Sequence, residues 1–197
     1  MADVSWEKYI TKTKSRGPRD LLIEAAGYVS FHDCGNALDL GAGAMNDTKY
    51  LLEIFEQVTA VDYEDAAAKC AKEIKAQNFF FFQQRFEVFH LRKSAYNLVN
   101  AAYALPFLPP SVFTEVWDSV IESLRPRGIF VGQLFGDRDT WNVKGSGNTF
   151  HTKEEARALF SGVELLKFVE EEEDSGSAFE KKKHWHIFHF IARKLVH

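Results

Sequence analysis

An α/β fold built on a mostly parallel sheet is predicted by three observations. Asn36 to Asp62 reads as a complete β-α-β unit. Apolar strands and amphipathic helices then alternate as far as Phe135, the pattern of parallel strands joined by crossover helices. Two final strands close the chain as a hairpin.

The first 20 residues are polar and basic, with Trp6, Tyr9 and a segment from Lys12 to Pro18 that ends in a turn. Pro18 suits the first turn of a helix, where its missing N–H costs nothing. Leu21, Leu22, Ala25, Ala26 and Val29 then give that helix one apolar face. The arm reads either as an amphipathic segment packed on the domain or as a flap over a ligand, with Tyr9 stacking or hydrogen bonding and Arg16 pairing with a carboxylate.

Ala37 to Leu40 form a short apolar strand, Gly41-Ala42-Gly43 a tight turn, about Asp47 to Glu56 a helix, and a second strand ends at Asp62. Gly41 and Gly43 allow backbone angles that a Cβ forbids and let a ligand approach the main chain. Asp62 lies about 20 residues past the glycines, where an acid accepts hydrogen bonds from a ribose diol. A nucleoside-containing cofactor follows. A dinucleotide site wants a third glycine for its pyrophosphate, and Asn46 holds that position. Asp39, two residues before Gly41, would repel a pyrophosphate and attract an ammonium group. S-adenosylmethionine carries an ammonium group and no phosphate.

The run Asp39-Leu-Gly-Ala-Gly-Ala, followed by Val61-Asp62, resembles motifs I and II of class I S-adenosylmethionine-dependent methyltransferases. The resemblance implies a Rossmann-like three-layer α-β-α sandwich, with a mostly parallel seven-stranded sheet and an antiparallel C-terminal hairpin strand. It implies one domain over residues 1–197, with residues 1–20 as an arm over the cofactor and 30–197 as the core. Ala42 and Tyr63 join Gly41, Gly43, Asp39 and Asp62 as implied cofactor contacts.

Glu64 to Ala76 is a good helix former. Phe79-Phe-Phe-Phe-Gln-Gln follows as a strand apolar on both faces, which belongs in the middle of a parallel sheet. The family usually has an acid next, for the adenine amino group, and then an apolar residue against the ring. Here Arg85 stands in the acid's place and Phe86 can still pack on adenine. Arg85 cannot accept from that amino group, and is read as pointing away into solvent.

Tyr96 to Phe107 resembles the family's fourth motif, with Asn97 where aspartate is commoner and Asn100, Ala101 and Tyr103 near the transferred methyl. Pro109-Pro110 launch a helix whose stripe of Phe113, Val116, Trp117, Val120, Ile121 and Leu124 is core. Arg125-Pro126-Arg127-Gly128 stops it, where the family usually has Leu-x-Pro-Gly-Gly, and Ile129 to Phe135 is a buried strand. Gly136 to Asn148 is a long loop at a strand's carboxyl end, where α/β folds place specificity. Thr152 and Glu155 form a capping box, so His151 precedes a helix of about Lys153 to Ser161.

The hairpin strands are Val163 to Glu170 and His184 to Lys194, joined by an acidic run, Glu170 to Asp174, and a Lys181-Lys-Lys turn, all read as solvated. His184 and His186 share one face of the last strand, yet no third ligand falls into register, so no metal is expected.

The function expected is transfer of a methyl group from S-adenosylmethionine, in line, to a nucleophilic atom of a small molecule. Candidates near the methyl are Tyr103, Asn100, Asp139 and His151, in falling order of positional support. Trp6, Tyr9, Phe107 and Trp141 suggest a partly apolar acceptor. Two other readings stay open: a non-catalytic binding or assembly module on this fold, for which Arg85 and Asn97 leave room, and a nicotinamide-dependent oxidoreductase, against which the missing third glycine and the C-terminal hairpin speak. The 197 residues carry a formal net charge of −4 without a long basic block, which argues against a nucleic-acid partner. No apolar run approaches a bilayer span and no signal peptide opens the chain, so a soluble, cytoplasmic protein is expected. Cys34 and Cys70 are read as reduced and structural, and self-association into a homo-oligomer is left open.

Overall fold

The computed structural model describes residues 5–176 and 182–196. An N-terminal helix α1 (Trp6–Thr13) and a second, α2 (Asp20–Ala26), precede β1 (Asn36–Leu40), α3 (Asn46–Leu52), β2 (Gln57–Asp62), α4 (Asp65–Lys72) and β3 (Phe79–Gln83). Then come β4 (Tyr96–Ala101), α5 (Pro110–Ser123), β5 (Leu124–Gly136), the two-residue β6 (Phe150–His151), α6 (Lys153–Ala158), β7 (Val163–Ser175) and β8 (Lys183–Lys194). The sheet runs β3-β2-β1-β4-β5-β8-β7, with β6 on β5. Its first five strands are parallel, and β8 is antiparallel to both β5 and β7.

Alternation along the strands sorts the core into two layers. Leu38, Leu40, Val99 and Phe130 pack with Phe113, Trp117 and Val120 of α5. Ala37, Val58, Leu98 and Val131 pack on the other face with Leu22 and Ala25 of α2 and Leu51 of α3. Asp39 and Asn100 have the parity of this second face and pair directly across β1 and β4. The pleat therefore aims both at the start of α3.

Three expectations are corrected. The Phe79 strand is an edge strand and not a central one: Phe79 and Phe81 pack towards α4 while Phe80 and Phe82 stay about 45% and 44% exposed. A double-faced apolar run fixes strand character but not neighbours. The acidic run is strand and not connection, since Glu170 to Asp174 pair with Phe188 to His184. Lys183, read as part of a solvated turn, is fully buried and ion-paired with Asp139; Lys181 lies outside the described residues. The helices of the first half end a few residues earlier than their sequence patterns. The segment 125–128 bulges from the β4–β5 pairing, with Arg127 at φ 67° where a glycine would be unstrained.

Gly136 closes β5 against the last strand, and a Cβ added there would fall inside the buried His186 ring. Gly136→Ala should therefore lower stability by about 2–3 kcal/mol through overpacking, read as an earlier urea midpoint with an unchanged slope.

Candidate functional site

A cavity of about 570 Å³ opens beyond the carboxyl ends of β1, β2 and β4, the position at which open α/β sheets bind ligands. Its floor is the glycine turn. Gly41 has φ +68° and Gly43 φ +52°, and a Cβ on Gly41 would come within 2.8 Å of the Ala104 methyl. The N–H groups of Gly41 and Ala42 both point to the Val61 carbonyl, at 2.9 and 3.3 Å. Asp62 accepts from Gly43 N–H at 2.8 Å and from Glu64 N–H at 2.9 Å. One carboxylate thus fixes the loop before it and the turn after it. Burial raises its pKa, and the backbone donors offset part of that rise.

Asp39 lies deeper. Its Oδ2 accepts from the Thr48 hydroxyl at 2.5 Å and its Oδ1 from the Asn100 amide at 2.8 Å. The same amide reaches Asp47 Oδ2 at 3.4 Å. Asp47 accepts the Arg19 N–H at 2.9 Å and faces its guanidinium at 3.7 Å. Burial first, and the Asp47 charge second, push the Asp39 carboxyl up to about 7. Two acids share one amide here, and only Asp47 has a cation beside it among the described residues.

The N-terminal arm forms a further wall, through Trp6, Tyr9, Thr13 and Arg16. It is held by Asn46, which donates to the Thr13 carbonyl at 2.8 Å, by Arg19, which donates to the Tyr9 hydroxyl at 3.2 Å, and by Trp6 set edge-on to Phe107 at 4.8 Å. Asn46, the residue in the third-glycine position, is therefore an anchor for the arm. Tyr63, Phe86 and Glu87 line another side. Arg85 is a largely exposed surface arginine, as expected, but it borders the cavity instead of pointing away from it: its guanidinium lies 4.5 Å over the Tyr63 ring and 3.5 Å from Glu87.

Among the sequence candidates, Tyr9, Arg16, Asp39, Asp62, Tyr63 and Phe86 border the cavity together with Gly41, Ala42 and Gly43. Asn100 stands one layer behind, braced on Asp39 and Asp47. Tyr103 borders the cavity in a left-handed conformation, φ 52°, with Arg19 stacked 4.5 Å over its ring. Asp139 and His151 are corrected. Asp139 is buried in its pair with Lys183 and caps the Trp141 N–H at 2.9 Å, so it is structural. His151 packs 4.9 Å from Phe113 and lines no part of the cavity, and burial lowers its pKa. Asn97 braces Asn36 N–H at 3.0 Å, at the strand ends opposite the cavity. Residues that sequence reasoning missed are Arg19, Asp47, Thr48 and Glu87. Asp47 and Thr48 had a signal, a polar pair opening the helix after the glycine turn.

A third ligand does join His186: Glu170 and Glu172 bring their oxygens within 4.8 Å of it, although His184 is not of the group. Arg138 already bonds both glutamates and Lys153 pairs with Glu170 at 2.7 Å, so the cluster's negative charge is balanced from within. No described helix is long and apolar enough to cross a membrane.

The profile of a family described as a methyltransferase domain matches residues 37–128. No curated protein matches the chain. Among solved structures, the N-methyltransferase NodS from Bradyrhizobium japonicum is 16% identical, with 100% of both chains covered and a TM-score of 0.69. TehB from Haemophilus influenzae is 18% identical over 96% of this chain and 67% of its own, with a TM-score of 0.76. The 1,6-didemethyltoxoflavin-N1-methyltransferase of Burkholderia thailandensis, solved with 1,6-didemethyltoxoflavin and S-adenosylhomocysteine, is 19% identical over 90% of this chain and 79% of its own, at a TM-score of 0.62. The fold is the Rossmann-like one of these methyltransferases.

An ionised Asp39 in this setting costs stability above its unfolded pKa. The cost is small near pH 4, where the folded carboxyl is protonated and the unfolded one only about half ionised, and it grows as pH rises towards the raised folded value. Asp39→Asn should therefore stabilise the protein by about 1–2 kcal/mol at pH 8 and by little at pH 4, measured by urea denaturation at both.

Proposed function

We propose that the chain, with a methyltransferase domain over residues 37–128, is an S-adenosylmethionine-dependent methyltransferase acting on a small molecule. The observation that carries this reading is Asp39, a buried carboxylate beside the glycine turn with two neutral donors and, among the described residues, no cation on it. A ligand ammonium group supplies the missing charge, which a pyrophosphate would not.

The other contacts fit the same cofactor. Asp62 has the position to accept from a ribose diol. Tyr63 and Phe86 offer ring faces for adenine, and Glu87 can accept from the adenine amino group, which Arg85 cannot. Arg16 is placed to meet a carboxylate. When bound, the cofactor supplies an electrophilic methyl group on a sulfonium. The protein's part is to align the acceptor and to exclude water. Helix α1 would cover the cofactor, and Trp6 against Phe107 would separate the reacting atoms from solvent. Tyr103 is the candidate to orient the nucleophile, since its left-handed backbone, held by N–H donation to Gln133 Oε1 at 2.9 Å, sets its ring against the cavity.

Titration calorimetry with S-adenosylhomocysteine tests the reading. Micromolar binding is expected at pH 8, weakening about tenfold per unit as pH falls below 7, because the ligand binds the ionised form of Asp39. Asp39→Asn should bind weakly and with a flattened pH dependence, and Asp62→Ala should lose at least about tenfold. Tighter binding of NADH than of S-adenosylhomocysteine, or binding indifferent to both substitutions, would overturn it.

A further inference from the structure

The strand β7 carries five acids in a row, Glu170 to Asp174, and the pleat divides them. Glu170, Glu172 and Asp174 face away from the cavity and are matched there by Arg138, Lys153 and His184. Glu171 and Glu173 face the cavity, beside their cross-strand partners Ile187 and Trp185. Glu173 has no ion pair among the described residues, and Glu171 meets only His189 Nε2, at 3.1 Å. Burial lowers the His189 pKa, so that ring is neutral at neutral pH and leaves the carboxylate its charge.

The wall beside these two glutamates is aromatic. Trp141 and Trp185 stand 5.2 Å apart, Phe107 is 6.1 Å from Trp141, and Trp6 closes on Phe107. The Lys183 ammonium lies 4.2 and 4.0 Å from the two indoles on the hairpin side, and its charge is held by Asp139. Over the whole cavity, seven acidic side chains among the described lining residues stand against three arginines. Of these arginines, Arg19 is engaged by Asp47 and Arg85 by Glu87. The field in the cavity is thus negative, and an anionic acceptor would be repelled from it.

We infer that the methyl acceptor is a basic amine carried on a flat apolar body, with the body against Trp6, Phe107, Trp141 and Trp185 and the nitrogen towards Glu171 and Glu173. This rests on the methyl-transfer reading above. Aromatic faces and carboxylates together are the chemistry that holds an organic cation. The same carboxylates favour the reaction itself. The nitrogen lone pair forms the new N–C bond as the S–C bond breaks, and that bond's electron pair returns to sulfur, leaving a neutral thioether. The ammonium held by the glutamates first gives one proton to water at the exposed rim, which frees that lone pair; the positive charge then moves from sulfur to nitrogen, and the methylated product keeps it beside the glutamates. A phenolate or carboxylate acceptor would carry its negative charge against the same two groups.

Three probes of one shape test the assignment: phenethylamine, 2-phenylethanol and 3-phenylpropionate, titrated into the protein by tryptophan fluorescence with and without S-adenosylhomocysteine. Phenethylamine should bind about tenfold or more tighter than either of the others. The Glu171→Gln/Glu173→Gln double variant should lose that preference. Glu172→Gln, the same charge change on the opposite face of β7, should keep it. Equal binding of the three, preference for the acid, no binding of phenethylamine at millimolar concentration, or a preference that survives the double variant would overturn the inference. S-adenosylhomocysteine is titrated separately on each preparation. If it fails to bind while phenethylamine is still preferred, the cofactor reading falls and the amine subsite stands. If it binds and phenethylamine does not, only the acceptor assignment falls.

Discussion

Two carboxylates forced to share one amide set the terms for the rest of the site. Asp39 lies one residue before the end of β1, on the face where α3 begins, and Asp47 lies in the first turn of that helix. Packing α3 onto β1 and β2 buries both acids, and Asn100 stands between them. Such a pair is stable only if donors surround it. Thr48, Asn100 and Arg19 are those donors, and together they tie β1, β4, α3 and the segment before α2 into one cluster. Among the described residues, no cation stands beside Asp39, whose donors Thr48 and Asn100 are both neutral. A buried group whose ionisation is costly in the free protein gains most from a ligand that brings the opposite charge.

The N-terminal arm follows from the same cluster. Arg19 is held by Asp47, and from there its guanidinium reaches Tyr103 and the Tyr9 hydroxyl. Asn46, beside Asp47, holds the Thr13 carbonyl. The wall over the cavity is thus fastened through residues that also organise its floor. The C-terminal hairpin supplies the opposite side. There, period-two alternation turns a uniform acidic run into two surfaces, one neutralised by Arg138 and Lys153 and one open to the cavity.

Several features were legible without coordinates because they are local. The glycine turn between two acids, the apolar stripe of α5, and the capping box of Thr152 and Glu155 each depend on spacings of a few residues. The order of β-α units and the closing hairpin follow from periodicity alone. Arg85 was misread because its partners are not neighbours on a periodic element: Tyr63, which its guanidinium covers, arrives from the end of β2, and only the β2–β3 pairing brings the two together. Asp139 and His151 were misassigned because a loop after a strand can fold towards the ligand or against the core, and here Lys183 and Phe113 draw them into the core.

By itself the sequence determined that this is an α/β chain with a glycine turn flanked by Asp39 and Asp62. Those properties reside in residue types at short fixed separations. Tertiary structure decided which strands lie at the edge, which acids of the run face the cavity, and which polar residues brace the site and which border it. These outcomes depend on register and face between segments tens of residues apart, and a shift of one residue in a pairing would reverse every side chain along the strand.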